Sequence, residues 1–255
     1  DKYFEREVYP VLTPMAVDSS RPFPLISNRT LNIGALIRDK KKDVIDIATV
    51  QVPSVLARVV ELPPEGDVRE IILLEEIIEK NLNKLFLNYE IVCAHPYRIM
   101  RNADLAIDED DAADLLKEIE KQIKKRAWGE VIKLEVEADM DKRLLKELKK
   151  QLQVSGEAVY LINGPLDLTF LSKVRGLDGF DHLKGKKYIP QPVPELNCEE
   201  NIFEQIKKKD ILLHHPYYEF TPVIEFIKQA AKDPDVLAIK QTLYRVSGNS
   251  PIVAA

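Results

Sequence analysis

Two histidines stand side by side at positions 214 and 215, directly after an apolar run at 211–213. If that run is a strand, both lie at its end, where α/β proteins place ligands. Adjacent strand residues point to opposite faces, so at most one of them enters a given pocket unless the strand has ended. The adjacent sequence offers no obvious carboxylate to orient either ring. Two roles are therefore considered for His214 and His215, ligand binding and a structural or surface role. The residues alone favour the structural or surface role.

A lysine and an arginine lie on the later apolar run at 236–245. Arg245 ends the run, and its planar fork of donors suits a phosphate group, but a solvated rim residue would look the same. Lys240 lies in the middle of the run, on the opposite face. A lysine there is unusual in a sheet that is covered on both faces, and the alternative is an edge or snorkelling residue. Both alternatives stay open.

Composition excludes several classes of protein. The chain is 45% hydrophobic and 31% charged, which is typical of a soluble globular protein, and no apolar run approaches the roughly 18 residues of a membrane span. A net charge of −5 gives no overall basic signature for nucleic acid. Cys93 and Cys198 match no metal spacing and are interpreted as reduced thiols, which fits the cytoplasm. Phosphate-loop, dinucleotide and H-E-x-x-H motifs are absent.

A polyanion would therefore need a local basic cluster. The chain has four such clusters, and most are interpreted as solvated turns and helix ends: 40–42, 124–126, 184–187 and 207–209. The cluster from Lys184 to Lys187 is the best exception, because it lies beside Tyr188 in a segment with three prolines, at 190, 192 and 194. That segment is predicted to be an exposed connector, with a domain boundary near residue 195.

Hydrophobic periodicity before the connector predicts a mixed α/β, or α+β, domain at 1–195. Strands are expected at 31–38, 43–52 and 57–62 as antiparallel neighbours, and at 89–100, 131–136 and 158–162. Helices are expected at 69–86, 108–127, 142–151 and 166–174.

Residues 196–255 are predicted to form a helix at 201–208, a strand at 211–214, a helix at 222–232 and a strand at 236–245. Ser250 and Pro251 then form a helix start signal. Strand, helix and strand make one βαβ unit, and a unit of this size cannot bury a core alone. The second domain is thus expected to be incomplete and the chain to be cut.

Three segments resemble bacterial polyphosphate kinases, the family that works through a phosphohistidine: VYPVLTPMAVDSSRPFPLISN at 8–28, GPLDLTFL at 164–171, and DILLHHPYYEFTPVIEFIKQAAKDPDVLAIKQTLYR at 210–245. The resemblance runs over essentially the whole chain. It implies a head domain followed by the opening βαβ unit of a phospholipase-D-like catalytic domain.

The resemblance also implies an activity, which is reversible transfer of the terminal phosphate of ATP to inorganic polyphosphate with Mg²⁺. Arg245 matches an arginine of the family's magnesium–phosphate site, and Lys240, His214 and His215 are weaker substrate-binding candidates. The phosphohistidine is expected in a His-x-Lys-type motif beyond residue 255, so no catalytic residue is assigned here and the chain alone is expected to be inactive. ATP or ADP and polyphosphate are the expected partners of a cytoplasmic homo-oligomer, a dimer or tetramer, with membrane association of the full-length protein left open.

Two other functions remain as alternatives. One is a non-catalytic module for polyanion binding or dimerisation, and the other is part of a phospholipase-D-like phosphodiesterase. The motifs VLTPMAV and PLDLTFL favour the kinase over the phosphodiesterase, because they belong to the kinase resemblance alone.

Overall fold

The computed structural model describes residues 2–17, 21–63, 66, 68–102, 129–244, 246 and 248–254. The chain divides into two compact units, Asp1–Gly179 and Phe180–Ala255. The predicted helix at 108–127 and the candidate ligand Arg245 lie outside the described residues, and the predicted boundary near residue 195 stays a prediction. No described helix is both long enough and apolar enough to cross a membrane.

The first unit is built on strands and confirms the mixed α/β class. Its strands are β1 (Pro14–Val17), β2 (Leu31–Asp39), β3 (Ile45–Gln51), β4 (Val59–Glu61), β5 (Ile71–Leu73), β6 (Tyr89–Arg101), β7 (Val131–Glu137) and β8 (Val159–Ile162). Six of them form one sheet in the order β1-β3-β2-β6-β7-β8. All of its pairs are antiparallel except β7 with β8, which is parallel.

Strand β2 lies inside the sheet and is buried on both faces, which explains its almost continuous apolar run. On one face, Ile33 and Ile37 pack with the helical turn Phe4–Val8 and with helix α1 (Leu74–Lys80). On the other face, Leu36 packs in a second cluster with helix α3 (Lys142–Leu152). The first unit therefore has one core on each side of its sheet.

The predicted helix at 69–86 is wrong in its first part. Residues 71–73 form β5, and only then do α1 and the short helix α2 (Leu82–Leu85) follow. The β-branched pair Ile71 and Ile72 finds a partner strand in β4, so tertiary pairing overrides the helical period. Asn81 separates the two helices, and its side chain donates to the carbonyl of Ile77, which competes with the helix backbone.

Two further predictions need correction. Strand β4 pairs with β5 in a separate two-stranded sheet, so it is not a neighbour of β3. The predicted helix at 166–174 is a short 3₁₀ turn, Leu168–Phe170, followed by the one-turn helix α4 (Leu171–Arg175). Asp167 at the head of this turn has a positive φ of 53°, which prevents a regular helix from starting earlier.

The second unit contains α5 (Ile202–Ile206), α6 (Thr221–Lys232) and α7 (Pro251–Ala254). The strands predicted at 211–214 and 236–245 do not form within its described residues, where a single parallel bridge joins Gln191 to Tyr218. A strand needs a neighbour for its backbone hydrogen bonds, and neither segment has one there. Several of their apolar side chains are accordingly exposed, with Leu212 at 84% and Leu237 at 98%, whereas Ile211, Leu213 and Val236 are half-buried.

Helix α3 begins with an aspartate cap that should be sensitive to pH. Asp141 accepts a hydrogen bond from the backbone N–H of Arg143 at 2.8 Å, and its other oxygen lies 2.7 Å from the guanidinium of the same residue. The bonds from the Arg143 side chain and amide hold the pKa of Asp141 well below its usual range. A lowered folded-state pKa contributes stability above the unfolded value of about 3.8, and that contribution is lost as the pH falls below it.

We expect Asp141→Ala to lower the melting temperature at pH 7, because the ionised cap and its bonds are lost. The difference from wild type should begin to shrink as the pH falls through about 4, where the unfolded chain takes up the proton, and should continue to shrink at lower pH, until the folded carboxyl is protonated as well. Thermal unfolding followed by circular dichroism measures both values. Asp210→Ala, at an exposed position, is the matched control and should show no such trend. A deficit that stays constant with pH would contradict the charged cap.

Candidate functional site

The paired histidines lie in an irregular loop that leads into α6. The His215–Pro216 peptide is cis, and Nδ1 of His215 lies 3.1 Å from the carbonyl oxygen of Tyr218. The His214 ring packs on Tyr217 with centroids 4.7 Å apart, and the His215 ring packs edge-on against Phe220 at 5.1 Å. Both histidines are exposed, so their remaining ring nitrogens can reach a ligand from solvent.

The proline-rich connector is bound to this loop. The backbone N–H of Gln191 donates to the carbonyl of Tyr217 at 2.8 Å, and that of Glu219 donates to the carbonyl of Gln191 at 2.9 Å. The Tyr188 hydroxyl donates to the same Tyr217 carbonyl, and the two tyrosine rings meet edge to face at 5.4 Å. Connector and loop therefore form one surface, which we call the histidine–connector surface (residues 188–191 and 214–220).

The lysines of the connector differ in their partners. Lys184 pairs with Asp181 at 2.8 Å, whereas Lys186 and Lys187 are exposed. Lys240 is also exposed, on the segment that lacks a strand. No hydrogen bond in the described part of the chain joins Lys240 to His214 or His215. The structure thus brings the two histidines together with the connector but not with Lys240, and the binding roles of all three residues stay predictions.

The His-x-Lys-type motif is expected beyond residue 255, but a triplet with this spacing also occurs within the chain, at His182-Leu183-Lys184. His182 lies in the short 3₁₀ helix Asp181–Leu183, where its ring centroid is 6.5 Å from that of Phe180. His182 is exposed. A match of two residues in a triplet assigns no role by itself, and a substitution of His182 distinguishes a phosphorylated from an unmodified histidine.

In the first unit, a partly buried ion pair holds the GPLDLTFL motif in place. The Arg58 guanidinium makes hydrogen bonds to both carboxylate oxygens of Glu75, with the closest nitrogen 2.6 Å away. The same guanidinium donates to the carbonyls of Leu166 and Asp167 and lies 5.0 Å from the centre of the Phe170 ring. Arg58 therefore fixes the backbone and one aromatic side chain of the motif.

A second arginine reaches the same motif from the sheet. Arg98 in β6 lies 3.9 Å from the Asp167 carboxylate and 3.3 Å from Glu135 in β7, which in turn pairs with Lys133 at 2.6 Å. These contacts position the motif and offer no free nucleophile. No sequence pattern points to Arg58, because its partners in the motif lie 108 and 109 residues away.

A third cluster combines possible metal ligands, which are His95, Glu137 and Asp139. It is the single group of three or more such side chains found among the described residues, and it belongs to the first unit. The described part of the second unit accordingly offers no group of this kind for Mg²⁺, and a guanidinium such as that of Arg245 donates hydrogen bonds but cannot ligate a metal. The described residues of the second unit therefore do not by themselves fit a magnesium site.

The sheet with a core on each face defines the first unit as a mixed α/β domain. Comparison with known protein families then shows the family to which the chain belongs. Residues 1–174 match the family model described as the polyphosphate kinase middle domain, and residues 201–255 match polyphosphate kinase C-terminal domain 1. Because the first match covers more than half of the chain, the chain belongs to the polyphosphate kinase family. His182 lies between the two matched segments.

Individual relatives agree with this assignment. The chain is 51% identical to a polyphosphate kinase of Halalkalibacterium halodurans and 47% identical to one of Bacillus cereus, in each case over 100% of this chain and 37% of the relative. A crystal structure of polyphosphate kinase from Porphyromonas gingivalis matches with a TM-score of 0.70 over 99% of this chain and 36% of that one. At 24% identity, this structural match supports the fold. The chain thus spans little more than a third of the length of these proteins.

Proposed function

We propose that this chain is the head and the opening of the catalytic domain of a polyphosphate kinase, which moves the terminal phosphate of ATP reversibly onto inorganic polyphosphate. The observation that carries the proposal is the order of the two family matches along one chain. Names of relatives that span the whole chain support the same substrate class. The full-length protein is proposed to be a cytoplasmic homo-oligomer.

In the proposed reaction, a histidine nitrogen outside these residues attacks the γ-phosphorus of ATP, and the bond to the ADP oxygen breaks. A terminal oxygen of polyphosphate then attacks the phosphorus, and the phosphorus–nitrogen bond breaks. Mg²⁺ enters with the nucleotide, as part of the substrate. Arg245, Lys240, His214 and His215 are proposed to donate hydrogen bonds to phosphate oxygens, a role that the two histidines can play because they are exposed.

A chimaera tests the proposal directly. The matching stretch of the H. halodurans polyphosphate kinase would be replaced by this chain, which is 51% identical to it. We expect the chimaera to take acid-labile label from γ-labelled ATP and to lengthen polyphosphate, whereas the 255-residue chain alone takes no label. Arg245→Ala in the chimaera should lower kcat about 100-fold or more, the size of losing one donor to a transferring group. Arg175→Ala, at an exposed position, should leave kcat unchanged.

Other outcomes of these experiments would change or overturn the proposed function. Label on the isolated chain that disappears in His182→Gln would move the phosphohistidine to the His182-Leu183-Lys184 triplet. A folded chimaera that takes no label and makes no polymer would overturn the kinase proposal. If the isolated chain then bound polyphosphate with a steep salt dependence, the polyanion-binding module would take its place.

A further inference from the structure

Three side chains of the first unit converge at the point where β7 ends. His95 comes from β6, Glu137 is the last residue of β7, and Asp139 lies in the turn that follows. One ligand atom of each lies within 4.8 Å of the other two, and Nδ1 of His95 is 3.3 Å from an oxygen of Glu137. Two ligands about 2.1 Å from a tetrahedral ion are about 3.4 Å apart. The His95–Glu137 pair therefore already has the spacing of two ligands of one ion.

The backbone holds these residues in place without a bound ion. Strand β7 pairs with β6 from Arg101 to Tyr97 and ends at Glu137, so His95 lies just beyond the paired part of the two strands. Beyond the paired residues, the backbone N–H of Ala138 donates to the backbone carbonyl of Ile162 in β8. The backbone N–H of Met140 donates to the backbone carbonyl of Glu137. Glu137 and Asp139 are therefore carried by a closed turn on the sheet, which restricts where their carboxylates can go.

The local charge favours a cation. Two carboxylates, the half-buried one of Glu137 and the exposed one of Asp139, gather around one imidazole, that of His95. Negative charge gathered away from water is stabilised by a bound cation.

We propose that His95, Glu137 and Asp139 bind one divalent transition-metal ion of the Zn²⁺ type. An imidazole nitrogen suits Zn²⁺, whereas Mg²⁺ and Ca²⁺ prefer sites made of oxygen alone. Side-chain exposures of 19% for His95 and 30% for Glu137 leave a path from solvent for the ion. The inference does not rest on the proposed function. The competing explanation is a simple ion pair between His95 and Glu137.

Zinc binding to the metal-free 255-residue chain distinguishes the two explanations. Isothermal titration with Zn²⁺ should show one ion per chain, and Co²⁺ in the same site should give visible d–d absorption. Glu137→Gln and Asp139→Asn should each weaken Zn²⁺ binding more than about tenfold, since loss of a first ligand should exceed the effect of losing its hydrogen-bond partner. His182→Gln and Glu157→Gln, both at exposed positions, are matched controls and should stay within about twofold of wild type.

The melting temperatures of the variants give a second measure of zinc binding, and circular dichroism shows whether each variant folds. Zn²⁺ should raise the melting temperature of wild type and of both controls, but not that of Glu137→Gln. If Glu137→Gln fails to fold by circular dichroism, Asp139→Asn carries the test, because Asp139 is exposed and its amide keeps the size of the side chain. Absence of zinc binding in wild type, or wild-type affinity in the folded ligand variants, would overturn the proposal and leave the ion pair alone.

Discussion

Arg58→Ala is expected to lower the free energy of unfolding of the first unit by about 3–5 kcal/mol. The Arg58 side chain is 18% exposed and its partner Glu75 is 7% exposed, so the substitution leaves a buried carboxylate without its counter-charge. The carbonyls of Leu166 and Asp167 lose their donors at the same time. The GPLDLTFL motif should therefore loosen along with the ion pair.

Chemical denaturation measures this loss, and Arg38→Ala is the matched control. Arg38 pairs with Glu90 at 3.2 Å, but both side chains are well exposed, so its removal should cost less than about 1 kcal/mol. Replacing both charges, as in Arg58→Met with Glu75→Leu, should recover part of the loss, because no buried charge remains unpaired. Equal small effects for Arg58→Ala and Arg38→Ala would show that the ion pair does not hold the motif.

Leu148→Ala is expected to cost about 2–5 kcal/mol of unfolding free energy, the second large effect. Leu148 lies on the buried side of α3 with no exposed surface, in the cluster that includes Tyr97 and Leu134. Truncation removes three carbons, one methine and two methyl groups, and leaves a cavity between the helix and the sheet. Since α3 covers that face of the sheet, the whole first unit should melt earlier.

The same denaturation experiment applies to this variant. Leu171→Ala is the control, because Leu171 is 49% exposed on α4 and should lose well under about 1 kcal/mol. Both substitutions remove the same atoms, so the difference between them isolates burial. If Leu148→Ala were as mild as the control, α3 would not be packed on the sheet as observed.

The sequence by itself determined the type of most elements. Alternation and apolar runs located β2, β3, β6 and β7, and the apolar stripe of α3 located that helix, with shifts of two residues or fewer at most ends. These predictions hold because the direction of a side chain on a helix or strand is a local property of the backbone. The motifs at 8–28, 164–171 and 210–245 also indicated the family, which the matches at 1–174 and 201–255 confirmed.

Only the tertiary structure decided which elements are partners. It placed β4 against β5, turned the start of a predicted helix into a strand, and left the segments at 211–214 and 236–244 without strand pairing. It also brought Arg58 to Glu75 and His95 to Glu137, across 17 and 42 residues of chain. Periodicity specifies which side of an element is apolar but not what covers it, because contacts between distant residues depend on the packing of the whole domain.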